Sequence, residues 1–166
     1  MARTDTEKPT TVRFYQLGIS ASLEGAITAI LAKAWAKGVK STLLTPGPEP
    51  TRYWDGLLWH TPAADFLPHG PASGPDPERQ PILIASEQDD QNGATLIVLA
   101  TPRMIEKPEQ FDMVVDFVDG SSQDAKNESR SRYKQYRDLG CNLEYWVQGD
   151  DRKWSLKNQT PPPDKN

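Results

Sequence analysis

Residues 11–44 place the tightest constraint on the fold. Thr11 to Leu17 (TVRFYQL) sets Val12, Phe14 and Gln16 against Arg13, Tyr15 and Leu17, which predicts a strand with apolar residues on both faces. Gly18 and the Ser20/Ser22 pair form a turn, and Ser22 is placed to cap a helix. Leu23, Ala26, Ile27, Ile30, Leu31, Ala34 and Trp35 then recur at i, i+3, i+4 spacing until Gly38 stops them. Val39 to Leu44 is a second strand. Strand–helix–strand normally means a parallel pair joined by a right-handed crossover. The expected class is therefore α/β: one Rossmann-like three-layer domain, with a mostly parallel sheet and helices on both faces.

The remainder continues in the same idiom. Pro48 or Pro50 opens a helix through Tyr53, Trp54, Leu57 and Leu58 that ends around Trp59-His60. Residues 66–81 are rich in Pro and Gly and are expected to form a long surface loop without regular structure. Ile82 to Ala85 and Ala94 to Ala100 read as strands across the polar EQDDQNG turn, and Glu106 to Gln110 as a short connector. Asn142 to Gln148 and Lys153 to Leu156 read as a hairpin across GDD. The expected organisation is a flexible arm over 1–10, an α/β domain over 11–157 and a flexible Pro-rich tail over 158–166.

Asp112 to Asn142 holds the most informative stretch. Met113, Val114, Val115, Phe117 and Val118 predict a buried strand. Asp119-Gly120 is a turn signal, Ser121 or Ser122 can cap a helix, and Gly140 can end it. At 3.6 residues per turn, Lys126, Arg130, Tyr133 and Arg137 fall in a sector roughly 60° wide, with Lys134 at its margin. Ala125, Tyr136 and Leu139 lie about 120° away as the expected packing face. Lys126, Arg130, Arg132, Lys134 and Arg137 against Asp124, Glu128 and Asp138 leave this helix at +2, in a chain of net charge −4. A cationic stripe around an aromatic ring suits an acidic peptide or a phosphate chain. The competing reading is a solvated face with i,i+4 charge pairs, and periodicity does not separate the two.

Several chemistries find no support. The sequence has neither GxGxxG after the first strand nor GxxxxGK[ST], the phosphate-cradling loops of nucleotide sites. His60 and His69 lack metal-ligand spacing and are expected to be structural. The single cysteine, Cys141, excludes an internal disulfide and is expected to be packed rather than nucleophilic. Asp89-Asp90 and Asp150-Asp151 belong to solvated turns. A pI near 5.2 argues against nucleic-acid affinity over the whole surface. No apolar run approaches the ~20 residues that span a bilayer, and the N-terminus lacks the apolar core of a secretory signal. The expectation is a cytoplasmic, non-catalytic binding module with no cofactor, no metal and no membrane contact.

Four blocks carry a family resemblance: RFYQL in the first strand; Leu58-Trp59-x-x-Pro62-x-x-x-Phe66-x-Pro68-His69; Val114-Val115-Asp116-Phe117-Val118; and Arg132-Tyr133-Lys134-x-Tyr136-Arg137-x-x-Gly140. In order and spacing they resemble the chi subunit of bacterial DNA polymerase III holoenzyme, a clamp-loader accessory protein. The resemblance implies a Rossmann-like fold without nucleotide chemistry and a non-catalytic adaptor that meets DNA mainly indirectly. It further implies that the acidic C-terminal tail of single-stranded DNA-binding protein is held by Lys126, Arg130, Tyr133 and Lys134, with Val118 at the strand end and Arg137 as neighbour. A second implied contact, with the psi subunit or another clamp-loader subunit, falls on Trp59, Phe66 and Pro68. Here Trp59 and Phe66 have a competing reading as core aromatics. Cys141 in place of a larger apolar residue, and the C-terminal hairpin and tail, depart from the family pattern. The alternatives are a direct single-stranded DNA-binding module and, less supported, a small nucleotide-using enzyme.

Overall fold

The computed structural model describes residues 8–19, 21–60 and 67–162. In chain order the elements are β1 (Thr11–Leu17), α1 (Leu23–Ala36), β2 (Ser41–Leu44), α2 (Pro48–His60), β3 (His69–Pro71), β4 (Ile82–Ala85), β5 (Leu96–Leu99), β6 (Met113–Asp119), α3 (Gln123–Asp138), β7 (Asn142–Gln148) and β8 (Trp154–Thr160). The class is the expected one: α/β, parallel in every described pairing but the last hairpin. Two compact units divide the chain, Met1–Leu23 with Pro102–Asn166, and Glu24–Thr101.

In the Glu24–Thr101 unit the strands run β3-β4-β2-β5. Ser41 to Leu44, Ile82 to Ala85 and Leu96 to Leu99 are buried along their whole length, so they read as continuous rather than alternating apolar runs. α1 buries Ile27, Thr28, Leu31 and Ala34; Trp35, expected in that stripe, is 41% exposed. Thr28 enters the stripe because its hydroxyl donates to Glu24 O at 2.8 Å, which satisfies the polar atom inside the helix.

In the other unit the order is β6-β1-β7-β8. β1 pairs in parallel with β6 on one side and β7 on the other. The opening strand–helix–strand is thus not a paired unit, since β2 has β4 and β5 as its neighbours. Local pattern sets that β1 is a strand; which strands flank it depends on apolar runs a hundred residues away.

Three further expectations change. Residues 66–81 contain the edge strand β3, which pairs His69 with Ile82 and Pro71 with Ile84, and a 3-10 helix at Pro77–Arg79. Proline, which lacks an N–H donor, is tolerated at a sheet edge. At the C-terminus β8 continues to Thr160, past the expected boundary at 157. Thr10, at the expected arm's end, is buried, its Oγ1 lying 2.9 Å from Pro108 O and 2.6 Å from Phe111 O.

α3 packs through Ser129, Arg132 and Tyr136 rather than through Ala125, Tyr136 and Leu139; Leu139 is 57% exposed at the helix end. The face is the predicted one, but two of its residues are polar. Arg132 Nε donates to Asp116 Oδ2 at 2.7 Å and Nη2 donates to Oδ1 at 3.1 Å, a bidentate pair from helix to strand. Phe14 lies beneath, its ring centroid 6.0 Å from the guanidinium carbon and 6.2 Å from the Tyr136 ring. The Tyr136 hydroxyl accepts from Ile105 N at 3.1 Å, and burial raises the phenol well above its ordinary range.

Burial pushes the Asp116 carboxyl up to about 6, against the opposing pull of the Arg132 hydrogen bond and charge. Its folded value is raised above the unfolded one, so this carboxyl contributes stability at low pH that is lost as pH rises through about 6. Removing the guanidinium with Arg132→Met leaves a buried carboxylate without its partner. Urea unfolding at pH 8 is expected to show a loss of about 3–5 kcal/mol. The loss shrinks at pH 5, where Asp116 takes up a proton.

Candidate protein-interaction site

The start of α3 is built by the residues the sequence marks for it. Asp119 Oδ1 accepts from Ser121 N at 2.9 Å and from Ser121 Oγ at 2.6 Å, which holds the carboxyl below its ordinary range. Ser122 is the cap: its Oγ accepts from Ala125 N at 3.1 Å. Gly120 passes so close to β1 that a Cβ there would lie 2.3 Å from Leu17 O. At the far end Gly140 adopts φ +87°, and Cys141 N donates back to Tyr136 O at 3.1 Å.

Between these ends the cationic side chains stand outward. Arg130, Lys134 and Arg137 are exposed and Lys126 is half-buried. Among the described residues none of the four is ion-paired with a carboxylate; Arg130 Nη1 donates only to Asn127 Oδ1, at 3.3 Å. Lys126/Arg130 and Arg130/Lys134 are like-charged i,i+4 neighbours, an arrangement that weakens a helix rather than lacing it. Asp124 and Glu128 fall on the far side of the helix from the stripe, and Asp138 lies roughly 40° from Lys134 at its margin. The helix's opposite-sign i,i+4 neighbours are Glu128/Arg132, whose guanidinium is turned to Asp116 instead, and Lys134/Asp138, which form no ion pair among the described residues. Among the described residues Arg132 alone of the helix's basic residues is ion-paired, with Asp116.

Tyr133 sits half-buried among these cations. Its ring packs 5.7 Å from Phe14, and its hydroxyl lies 2.6 Å from Thr160 Oγ1 on β8. Tyr145 of β7 is the neighbouring ring: it stacks on Phe14 at 6.1 Å and donates its hydroxyl to Gln16 Oε1 at 2.8 Å. Burial raises its phenol, and the nearby charge of Arg130 pulls the other way. Val118 is fully buried and offers no surface; it underlies the site instead. Sequence reasoning did not assign Tyr145, Thr160, Asp116 or Arg132 to the site. The last pair had a signal, a lone Asp inside the apolar VVDFV run, since such a residue needs a buried partner. Thr160 had none.

Trp59, Pro68 and His69 come together in the other unit, while Phe66 lies outside the described residues. Trp59 is 55% exposed, which removes the core-aromatic reading, and its ring meets His69 edge-on at 5.0 Å. Pro68 is half-buried. His69 is buried and structural, as expected: Nδ1 lies 2.6 Å from Leu67 O, and Nε2 lies 3.1 Å from Asp55 O and 3.2 Å from Asp55 Oδ1. Cys141 is buried too, and burial pushes its thiol up to about 11, far from a nucleophile's range.

This unit also holds an open cleft of 580 Å³ beside the start of α2. Asp55, Glu87 and Asp89 line it against Arg52, the wrong sign for an acidic partner. Among the described residues no group of three or more His, Cys, Asp or Glu could hold a metal ion, and no helix is long and apolar enough to cross a membrane.

Comparison with known proteins follows the same residues. The model of the family described as DNA polymerase III chi subunit, HolC, matches residues 10–144. A Rickettsia prowazekii (strain Madrid E) protein named probable DNA polymerase III subunit chi is 32% identical over 82 residues, 49% of this chain and 50% of that protein. The chain thus spans about half the length of that relative. An Escherichia coli (strain K12) protein named DNA polymerase III subunit chi is 30% identical over 127 residues, 76% of this chain and 85% of that protein. β8 lies beyond the matched residues.

Since the exposed cations form no ion pair among the described residues, Arg130→Ala and Lys134→Ala are expected to leave the urea midpoint at its wild-type value or slightly above it.

Proposed function

The chain belongs to the DNA polymerase III chi subunit family, and from that premise we propose that it is a non-catalytic replication adaptor whose α3 stripe holds the acidic C-terminal tail of single-stranded DNA-binding protein. The observation that carries this reading is the set of outward cations around Tyr133 that pair with no carboxylate among the described residues. Such a surface matches a peptide that ends in a carboxylate and an aromatic ring. Arg130 and Lys134 take the carboxylate, the ring packs near Tyr133, and upstream aspartates feel the weaker, salt-screened field. Trp59 supports a second contact, toward the clamp loader, because a large exposed indole flanked by Pro68 is the kind of anchor interfaces use.

Calorimetric titration with a synthetic peptide of several aspartates ending in Pro-Phe is expected to give roughly micromolar affinity that weakens with salt. Arg130→Ala is expected to cost about 2 kcal/mol or more, and Lys126→Ala, at the rim, less. Undiminished affinity in the Arg130 variant sinks the site assignment. Tight, salt-dependent binding of bare oligonucleotide by the chain alone, lost in the same variant, would instead favour direct single-strand binding.

A further inference from the structure

We propose that β8 is a working part of this site, with Thr160 as the residue that positions the Tyr133 ring; this rests on the tail-binding reading above. Residues 10–144 carry the family match, and β8 lies beyond them. Its placement is set by the antiparallel register with β7, which puts Thr160 opposite Leu143 and Asn158 opposite Tyr145. Directly opposed residues share a sheet face. Leu143 and Tyr145 are in register with Val12 and Phe14, whose ring packs against Tyr133 and Tyr136 of α3. Thr160 and Asn158 therefore sit on the face that α3 covers.

The contact itself is short. The Tyr133 hydroxyl and Thr160 Oγ1 are 2.6 Å apart, and Phe14 supports the ring from behind at 5.7 Å. A tyrosine held at both its ring and its tip cannot swing away from the cations beside it, so a partner meets the ring already oriented. Without Thr160 the ring keeps its packing but loses the hydroxyl that fixes its tilt. The bound tail must then order it at the moment of binding. Asn158, on the same face, is exposed.

The test uses the full chain and the acidic peptide ending in Pro-Phe. Thr160→Val keeps the shape and removes the hydroxyl; it is expected to weaken binding about 3- to 10-fold, the range of one hydrogen bond, and to lower the thermal midpoint by a few degrees at most. Thr160→Ser, which keeps a hydroxyl, is expected to restore most of the affinity. In a Tyr133→Phe background Thr160→Val is expected to add nothing, because the pairing is already gone; a merely structural role for β8 would leave the two effects additive. Wild-type or tighter binding by Thr160→Val, with Arg130→Ala still disruptive, overturns the role of β8 and leaves the α3 site standing. Wild-type binding by Arg130→Ala removes the reading on which both rest.

Discussion

The buried pair between Asp116 and Arg132 fixes what α3 shows to the solvent. Asp116 is fully buried in the middle of β6, and Arg132 is 7% exposed. A carboxylate in such a place is costly unless it is paired, and the two-pronged guanidinium contact satisfies both of its oxygens. The pair does more than cancel charge. It sets the rotation of α3 about its own axis, since Arg132 must point into the sheet. Lys126, Arg130, Tyr133 and Arg137 lie roughly 130° around the helix from it and are thereby turned outward. Rotating the helix by one residue would strand Asp116 and bury part of the stripe together. Orientation of the binding face is thus tied to the most expensive polar contact in its unit.

The electrostatics work by contrast. With a net charge of −4, the rest of the chain gives an acidic partner little to approach. Four cations that form no ion pair among the described residues make a local exception on one helix. Their like-charged i,i+4 spacing weakens α3, and the helix persists because Ser122 caps it, Gly140 ends it and Tyr136 anchors it. A surface that lowers the stability of its own element is one that folding alone would not choose. Screening confines its reach to about 8–10 Å in physiological salt, so the stripe's charge acts only on groups close to contact.

Elements whose cause is local were legible in the sequence. β1 begins and ends at Thr11 and Leu17 as alternation predicts, and Ser122, Asp119 and Gly140 hold the turn and cap positions their chemistry suits. The outward stripe followed from 3.6-residue geometry. Features that need a distant partner were not legible. β1 looked like the partner of β2, yet β6 and β7 flank it, because a strand pattern carries no address. β3 was hidden because His69-Gly70-Pro71 has no strand propensity; pairing with the fully buried β4 imposes its conformation. Arg132 was counted among surface charges because nothing local distinguishes it from Arg130. The Asp within VVDFV was the one hint, and it lay sixteen residues away.

β8 shows how one strand can serve stability and recognition together. Without it β7 would present an open edge, with unpaired backbone groups beside the candidate site. β8 covers that edge, and its own outer edge is guarded in familiar ways. The register shifts between Tyr145 and Trp146 so that Lys157 stands as the extra residue, and Pro161 follows the strand directly. A bulge bearing a lysine twists the edge away from further pairing and charges it. The strand then reaches Tyr133 through Thr160, at the point where covering an edge and orienting a ring become the same contact. The closing pairs of the ladder, Gln159 with Glu144 and Thr160 with Leu143, cover the start of β7 and bring the Thr160 hydroxyl to Tyr133 at once.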